Sequence, residues 1–113
     1  MYAKLKKPKD FAVLAKVGQS FFCKEFGIKI IKNNFNYNRY GIVVNLKVDK
    51  RAVMRNKIRR RISEILRLNN KNIRQGHDIM VLTSESTKNL SFSDIEIGLL
   101  KLFKKAKLVI SNK

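Results

Sequence analysis

Five apolar side chains between residues 54 and 66 constrain this chain more than any other feature. Met54, Ile58, Ile62, Ile65 and Leu66 fall at i, i+4, i+8, i+11 and i+12, a single stripe along an α-helix. The string that carries them, RAVMRNKIRRRISEIL over residues 51–66, puts six cations into its first eleven positions. The same helical wheel sets Arg55 with Arg59, Asn56 with Arg60, and Lys57 with Arg61 on faces turned away from the stripe. One side of this helix is therefore expected in a core and the other in solvent. Like charges at helical spacing repel, so a partner outside the chain is needed to offset the arrangement.

Charge over the whole chain points the same way. Lys and Arg total 26 against 8 acids, a net +18 that so few carboxylates cannot neutralise internally. A polyanion is the expected partner. Nucleic acid is favoured over a membrane, because no stretch approaches the roughly 18 apolar residues of a spanning helix and MYAKLKKPKD lacks a signal-peptide core. The 113 residues are read as one domain, 1–113, with a basic tail from about residue 107 and enough apolar residues, 44%, to fold. Cys23 alone makes no internal disulfide and suits a reducing compartment, so a cytoplasmic location is expected.

Along the chain, Pro8 precedes DFAVLAKVG, where Asp10 is expected to cap a short helix with Phe11, Leu14 and Ala15 on one face and Gly18 at its end. FGIKII, residues 26–31, alternates as a strand, with Phe26, Ile28 and Ile30 opposite Gly27, Lys29 and Ile31. After the Asn-rich stretch KNNFNYNR, the β-branched run YGIVVNLKV reads as its antiparallel partner. The basic helix follows, and then an interior strand over Ile79–Leu82. A last helix is expected to open with a Ser93/Glu96 capping box and to bury Ile95, Leu99, Leu102, Phe103 and Ala106. The order αββαβα makes an α+β sandwich of one sheet with helices.

Protein-borne catalysis finds little support in these residues. His77 is the only histidine and has no companion at metal-ligand spacing, so a structural or solvated role is expected. Cys23, beside Phe21 and Phe22, reads as a small buried side chain. Neither GxxxxGK[ST] nor GxGxxG is present. A Lys/Arg run on a helix is usually a solvated face. Here the run is rich in arginine, whose planar fork suits phosphate, and Asn56 among the cations adds a donor and an acceptor for ribose or a base edge. With +18 overall, nucleic-acid binding outweighs the plain reading. A structural RNA-binding protein and a DNA-binding helix module both remain compatible with charge and layout.

AVMRNKIRRRI, residues 52–62, resembles the RNR signature of the bacterial ribonuclease P protein subunit. KLKKPKDF at residues 4–11 is similar to that family's basic-then-Asp-Phe opening, and GIVVNLKVDKRA leads into the signature as the family's second strand and loop do. The resemblance spans residues 4 to 107 or thereabouts. It implies a mainly antiparallel sheet with a left-handed βαβ crossover, against the usual preference. It also implies a place beside a catalytic RNA that removes the 5′ leader of precursor tRNA, with Mg²⁺ bound mainly by the RNA. The implied partners are that RNA and precursor tRNA, with no membrane and no DNA.

Carried over by position, the resemblance makes Arg51, Arg55, Asn56, Lys57, Arg59, Arg60 and Arg61 candidates for contact with the catalytic RNA, and Phe11, Ala15, Gly27, Lys29 and Lys47 candidates for a leader cleft. Ala15, Gly27 and Lys29 stand where aromatic or apolar residues are common in the family, and a strand-end basic pair reads Leu46-Lys47. The cleft is therefore expected to draw more on Lys29 charge and less on stacking, each absent stack removing about 1–3 kcal/mol.

Overall fold

The stripe is buried as its spacing predicts. In the computed structural model, which describes residues 2–110, Ala52–Asn69 form one helix whose Ile58, Ile62, Ile65 and Leu66 are all at most 2% exposed, while Met54 at its first turn is half-buried. In chain order the elements are β1 (Ala3–Lys4), α1 (Pro8–Val17), β2 (Gln19–Phe22), β3 (Phe26–Lys32), β4 (Arg39–Val43), α2 (Ala52–Asn69), β5 (His77–Thr83) and α3 (Phe92–Lys105). Short 3₁₀ turns at Asn70–Asn72 and Glu85–Asn89 flank β5. The expected αββαβα order is present, with two strands added, β1 and β2.

The five strands form one sheet in the order β1-β4-β5-β3-β2. Its antiparallel ladders, β2 with β3 over four residue pairs and β3 with β5 over seven, outweigh the parallel ones, β1 with β4 over two and β4 with β5 over five. The antiparallel partner of β3 is thus not β4, as the Asn-rich turn led us to expect, but β2 and β5. The Asn-rich stretch does not turn the chain into a neighbouring strand. Six residues are enough to step over one intervening strand, roughly 9.6 Å at 4.8 Å per strand spacing, and β5 fills that gap. β4, α2 and β5 make a βαβ unit with adjacent parallel strands, which requires the long helical connection.

Side chains alternate cleanly across the sheet. Ile28 and Ile30 of β3, Tyr40 of β4, and Ile79 and Val81 of β5 pack with α2 and α3, whose Ile95, Leu99, Leu102 and Phe103 complete the larger core. The opposite face carries Met80, Leu82, Val43 and Ile31, against which α1 lays Leu14 and Phe11. A polar clasp fixes α1 and the strand register together. Asp78, directly opposite Arg39 in the β4–β5 ladder, takes a bidentate pair from it at 2.8 and 2.5 Å and a further bond from Asn33 at 2.9 Å. Arg39 also reaches Asp10 at 3.5 Å.

Several local expectations are corrected. Asp10 is not the cap of α1: the cap position falls three residues earlier, at Lys7, with Pro8 at the first helical position, where the missing N–H costs nothing. Gly18 does end it, donating to the Leu14 carbonyl at 2.9 Å. The N-cap of α3 is Ser91 rather than Ser93, its hydroxyl accepting from the Asp94 backbone at 3.1 Å, and the Glu96 carboxylate instead takes a bond from Asn69. Cys23 is exposed, not buried, because Phe21 and Phe22 lie on β2 and it falls in the turn that follows. His77 is partly buried, its backbone N–H donating to Asn38 Oδ1 at 2.9 Å. Of the tail, Leu108 is buried and Val109 bridges to Ile73, while residues 111–113 lie outside the described residues.

Candidate nucleic-acid interface

A helix that starts with cations is electrostatically awkward, since its N-terminus is already the positive end of the dipole. α2 has no acid in its first turn and no side-chain cap at Arg51. Asp49, only 6% exposed, offsets this from just outside the helix. Its carboxylate accepts from the Arg51 backbone N–H at 2.8 Å and from the Arg51 guanidinium at 3.1 and 2.9 Å, with Lys88 at 3.8 Å. The Arg51 guanidinium, then the Arg51 amide, hold the Asp49 carboxyl well below the usual carboxylate range. Arg55 closes the turn by donating to the carbonyls of Asp49 and Lys50 at 3.0 and 2.8 Å.

One turn on, the cations divide by task. Arg59 donates to Asn56 Oδ1 at 2.7 Å and to the Val44 carbonyl at 3.1 Å, tying the helix to the end of β4. Arg61 leans toward the Leu90 carbonyl at 3.5 Å. Lys57 and Arg60 are exposed, and among the described residues neither makes a hydrogen bond or ion pair. Of the seven residues expected to meet RNA, only Arg51 is in an ion pair among the described residues, and its side chain remains 69% exposed. Lys57, Arg60, the backed guanidinium of Arg59 and the Asn56 amide form a polar strip with unused donors, beside Val53 at 74% exposure.

The strip runs into a hollow of about 270 Å³ at the β1–β4 edge of the sheet. Arg59 and Arg60 wall one side and Phe11 the other, with Lys4 and Gly41 between them. Gly41 is what lets Phe11 lie flat there: a Cβ on it would come within 2.5 Å of the ring. The expected cleft residues do share the α1 face of the sheet, but not one spot. Lys29, Met80 and Gly41 form one cross-strand row, with Phe11 over its Gly41 end and two strand spacings, roughly 9.6 Å, from Lys29. Gly27 heads the next row, with Leu82 and Val43. Lys47 lies past the end of β4, exposed beside Lys50 and Arg51.

Two of these residues act differently from expectation. Lys29 donates to the Ala15 carbonyl at 2.9 Å, so its ammonium neutralises the negative end of α1 as well as charging the face. Gly27 is buried beneath the ring of Phe22, which is itself 56% exposed. Phe22 on β2 thus supplies an aromatic surface over the position where β3 has none, and sequence reasoning passed it over. Its signal was present in QSFF, where Phe21 and Phe22 must point to opposite faces if the segment is extended. Among the described residues no group of three or more His, Cys, Asp or Glu side chains is placed to hold a metal ion. No helix among them is long and apolar enough to cross a membrane.

The sequence matches the family model for ribonuclease P over residues 2–107. The chain belongs to the ribonuclease P protein family. It is 41% identical over 107 residues to the ribonuclease P protein component of Clostridioides difficile, covering 94% of this chain and 93% of that one. It is 36% identical over 108 residues to that of Alkaliphilus oremlandii, covering 96% and 94%. Among solved structures, the ribonuclease P protein of Staphylococcus aureus superimposes with a TM-score of 0.86 at 30% identity, covering 96% of this chain and 99% of that one. That of Thermotoga maritima gives 0.83 at 33%, covering 90% and 96%. Membership places the chain in tRNA processing.

Proposed function

We propose that this chain is the protein subunit of ribonuclease P, that it binds the catalytic RNA through the exposed side of α2, and that it holds the 5′ leader of precursor tRNA along the α1 face of the sheet. One observation carries the reading: α2 is anchored by the buried Ile58, Ile62, Ile65 and Leu66, while Lys57 and Arg60 on its other side make no hydrogen bond or ion pair among the described residues of a chain of net charge +18. The Phe11 hollow opens directly off that strip, so an RNA lying on the helix continues onto the sheet. Arginine forks suit phosphate oxygens, and Phe11 and Phe22 offer ring faces to unpaired bases. Hydrolysis itself is assigned to the RNA and its bound Mg²⁺.

Bringing +18 to two polyanions offsets their mutual repulsion, so cleavage in the presence of the protein should need less Mg²⁺. Reconstitution with a bacterial ribonuclease P RNA and a precursor tRNA, with cleavage followed across a Mg²⁺ titration, tests this. A midpoint that does not move when the protein is added rejects it. In the same assembly the protein should neutralise about five to eight phosphates, giving a slope of about −0.7 in log K against log salt for each. Equal affinity for precursor and mature tRNA would instead identify a structural RNA-binding protein without a leader site.

A further inference from the structure

A cleft of about 690 Å³ lies at the far end of α2 and shares one lining residue, Tyr2, with the hollow described above. Arg67 and Leu68 from the last turn of α2, Lys71 from the 3₁₀ turn, Tyr37 from the loop before β4, Tyr2 and Ile110 line it. From Arg60 to Lys71 is eleven residues, roughly 16 Å at 1.5 Å per residue, so a ligand here would be separate from one on the Arg60 strip. We propose that this cleft is a second RNA contact, which takes an unpaired nucleobase of the RNA partner against Tyr37 and the adjoining phosphate at Lys71.

Three features support that occupant. Tyr37 is backed by Phe35 at 5.1 Å between ring centres, and Phe35 in turn carries the Arg39 guanidinium 4.9 Å from its own ring centre. Arg39 is locked by Asp78, so the tyrosine is held in place as a stacking platform, at little ordering cost to a base that lands on it. The charge of the lining is positive: Lys71 is exposed and without an ion pair among the described residues, and Arg67, although bonded to Glu64 at 2.9 and 2.6 Å, is still 54% exposed. Among the described residues no carboxylate lines the cleft. Finally, Leu68 and Ile110 at 48% and 41% exposure leave an apolar rim that a protein partner would also fill, but a second copy of this chain would bring +18 against +18. Repulsion of that size favours a polyanion over a self-contact.

The inference rests on the RNA-binding reading of α2, and the test separates the two. The full chain and the variants Tyr37→Ala, Lys71→Ala and Arg60→Ala are titrated with ribonuclease P RNA over a salt series. Tyr37→Ala should weaken binding about 5- to 150-fold, the loss of one stacked base. Lys71→Ala, on open surface, should keep the fold and reduce the magnitude of the log K against log salt slope by about 0.7 to 0.9, one phosphate contact. If Arg60→Ala weakens binding while Tyr37→Ala and Lys71→Ala bind with wild-type affinity and slope, the cleft is not an RNA contact and the α2 reading stands. If all three bind as wild type, both fall. Concentration-dependent dimers abolished by Leu68→Glu would also overturn the proposal, by giving the cleft to a second copy.

Discussion

Arg59 and Arg60 are neighbours in sequence, and the sequence alone treats them alike. The structure does not. Arg60 uses none of its donors within the described residues, so truncating it to alanine removes an unattached side chain and should leave stability within about 0.5 kcal/mol of wild type. Arg59 makes two hydrogen bonds, to Asn56 Oδ1 and to the Val44 carbonyl. At about 0.5–1.5 kcal/mol each, with the lower half of that range suited to the exposed Asn56 bond, Arg59→Ala should cost about 1–2.5 kcal/mol of folding stability. Both guanidinium groups face the same hollow, so each variant should lose one charge-assisted contact to RNA, about 1.5–3 kcal/mol, or roughly ten- to a hundredfold in affinity.

Urea denaturation of the isolated chain reads the first quantity, and binding of ribonuclease P RNA over a salt series reads the second. The expected pattern is a split: Arg60→Ala changes affinity and flattens the salt slope without moving the denaturation midpoint, while Arg59→Ala changes both. An Arg60→Ala variant that unfolds early would mean that the guanidinium is held inside the molecule after all. One that binds RNA with wild-type affinity would remove the strip from the interface. An affinity loss indifferent to salt would show that the side chain was not on a phosphate.

The remaining expectations concern the scaffold. Ile62, 1% exposed in the middle of the stripe, should cost about 2–5 kcal/mol when cut to alanine, measured by denaturation; a silent variant would show that the stripe is not core. Gly41→Val should drive the Phe11 ring off the sheet, at about 1–3 kcal/mol for the crowding, and speed proteolysis of α1; wild-type protection of α1 would mean that the ring moves aside freely. The Asp49 carboxyl is depressed in the fold, so its stabilisation is complete above the ordinary carboxylate range, about pH 4, and is lost as pH falls below it. Asp49→Asn should therefore destabilise the chain at neutral pH and blunt the acid side of its stability curve, and an acid limb identical to wild type would contradict the clamp.

What could be read from the sequence was what repeats. α2, β3 and the buried face of α3 declare themselves by period, and β5 by an unbroken apolar run, because such patterns survive wherever the element is placed. Neighbour relations do not. β4 follows β3 in the chain, and consecutive strands usually pair, but here α2 carries the chain over so that β5 enters between them, and no local signal marks that. β2 shows no period for a related reason: as an edge strand it exposes most of its residues, so QSFF carries no polar-apolar alternation. The cap of α3 was misplaced by two residues because SFSDIE offers two serines and only the fold decides which one turns. In the site, the basic strip was plain from the wheel, whereas Phe11 over Gly41 depends on how α1 docks on a strand distant in the chain, and Phe22 over Gly27 on the β2–β3 register, which no period in QSFF fixes.

The distribution of the acids explains why the strip is left free. All eight carboxylates fall within the described residues, and four of them form ion pairs: Asp10 and Asp78 with Arg39, Asp49 with Arg51 and Lys88, and Glu64 with Arg67. Each pair secures a joint in the scaffold: the seat of α1, the entry to α2, or its last turn. None reaches residues 55–61. A chain selected only for stability gains by placing a glutamate four residues from one of those cations, a few tenths of a kcal/mol for each pair. Glu64 does stand four residues from Arg60, yet its carboxylate turns to Arg67, outside the strip. The unpaired stretch therefore stores repulsion in the free protein, and a ligand that brings phosphates relieves it on binding. The affinity of the strip for RNA and its small cost to the fold thus have one origin, so a substitution such as Lys57→Glu should stabilise the isolated chain slightly while weakening its RNA complex.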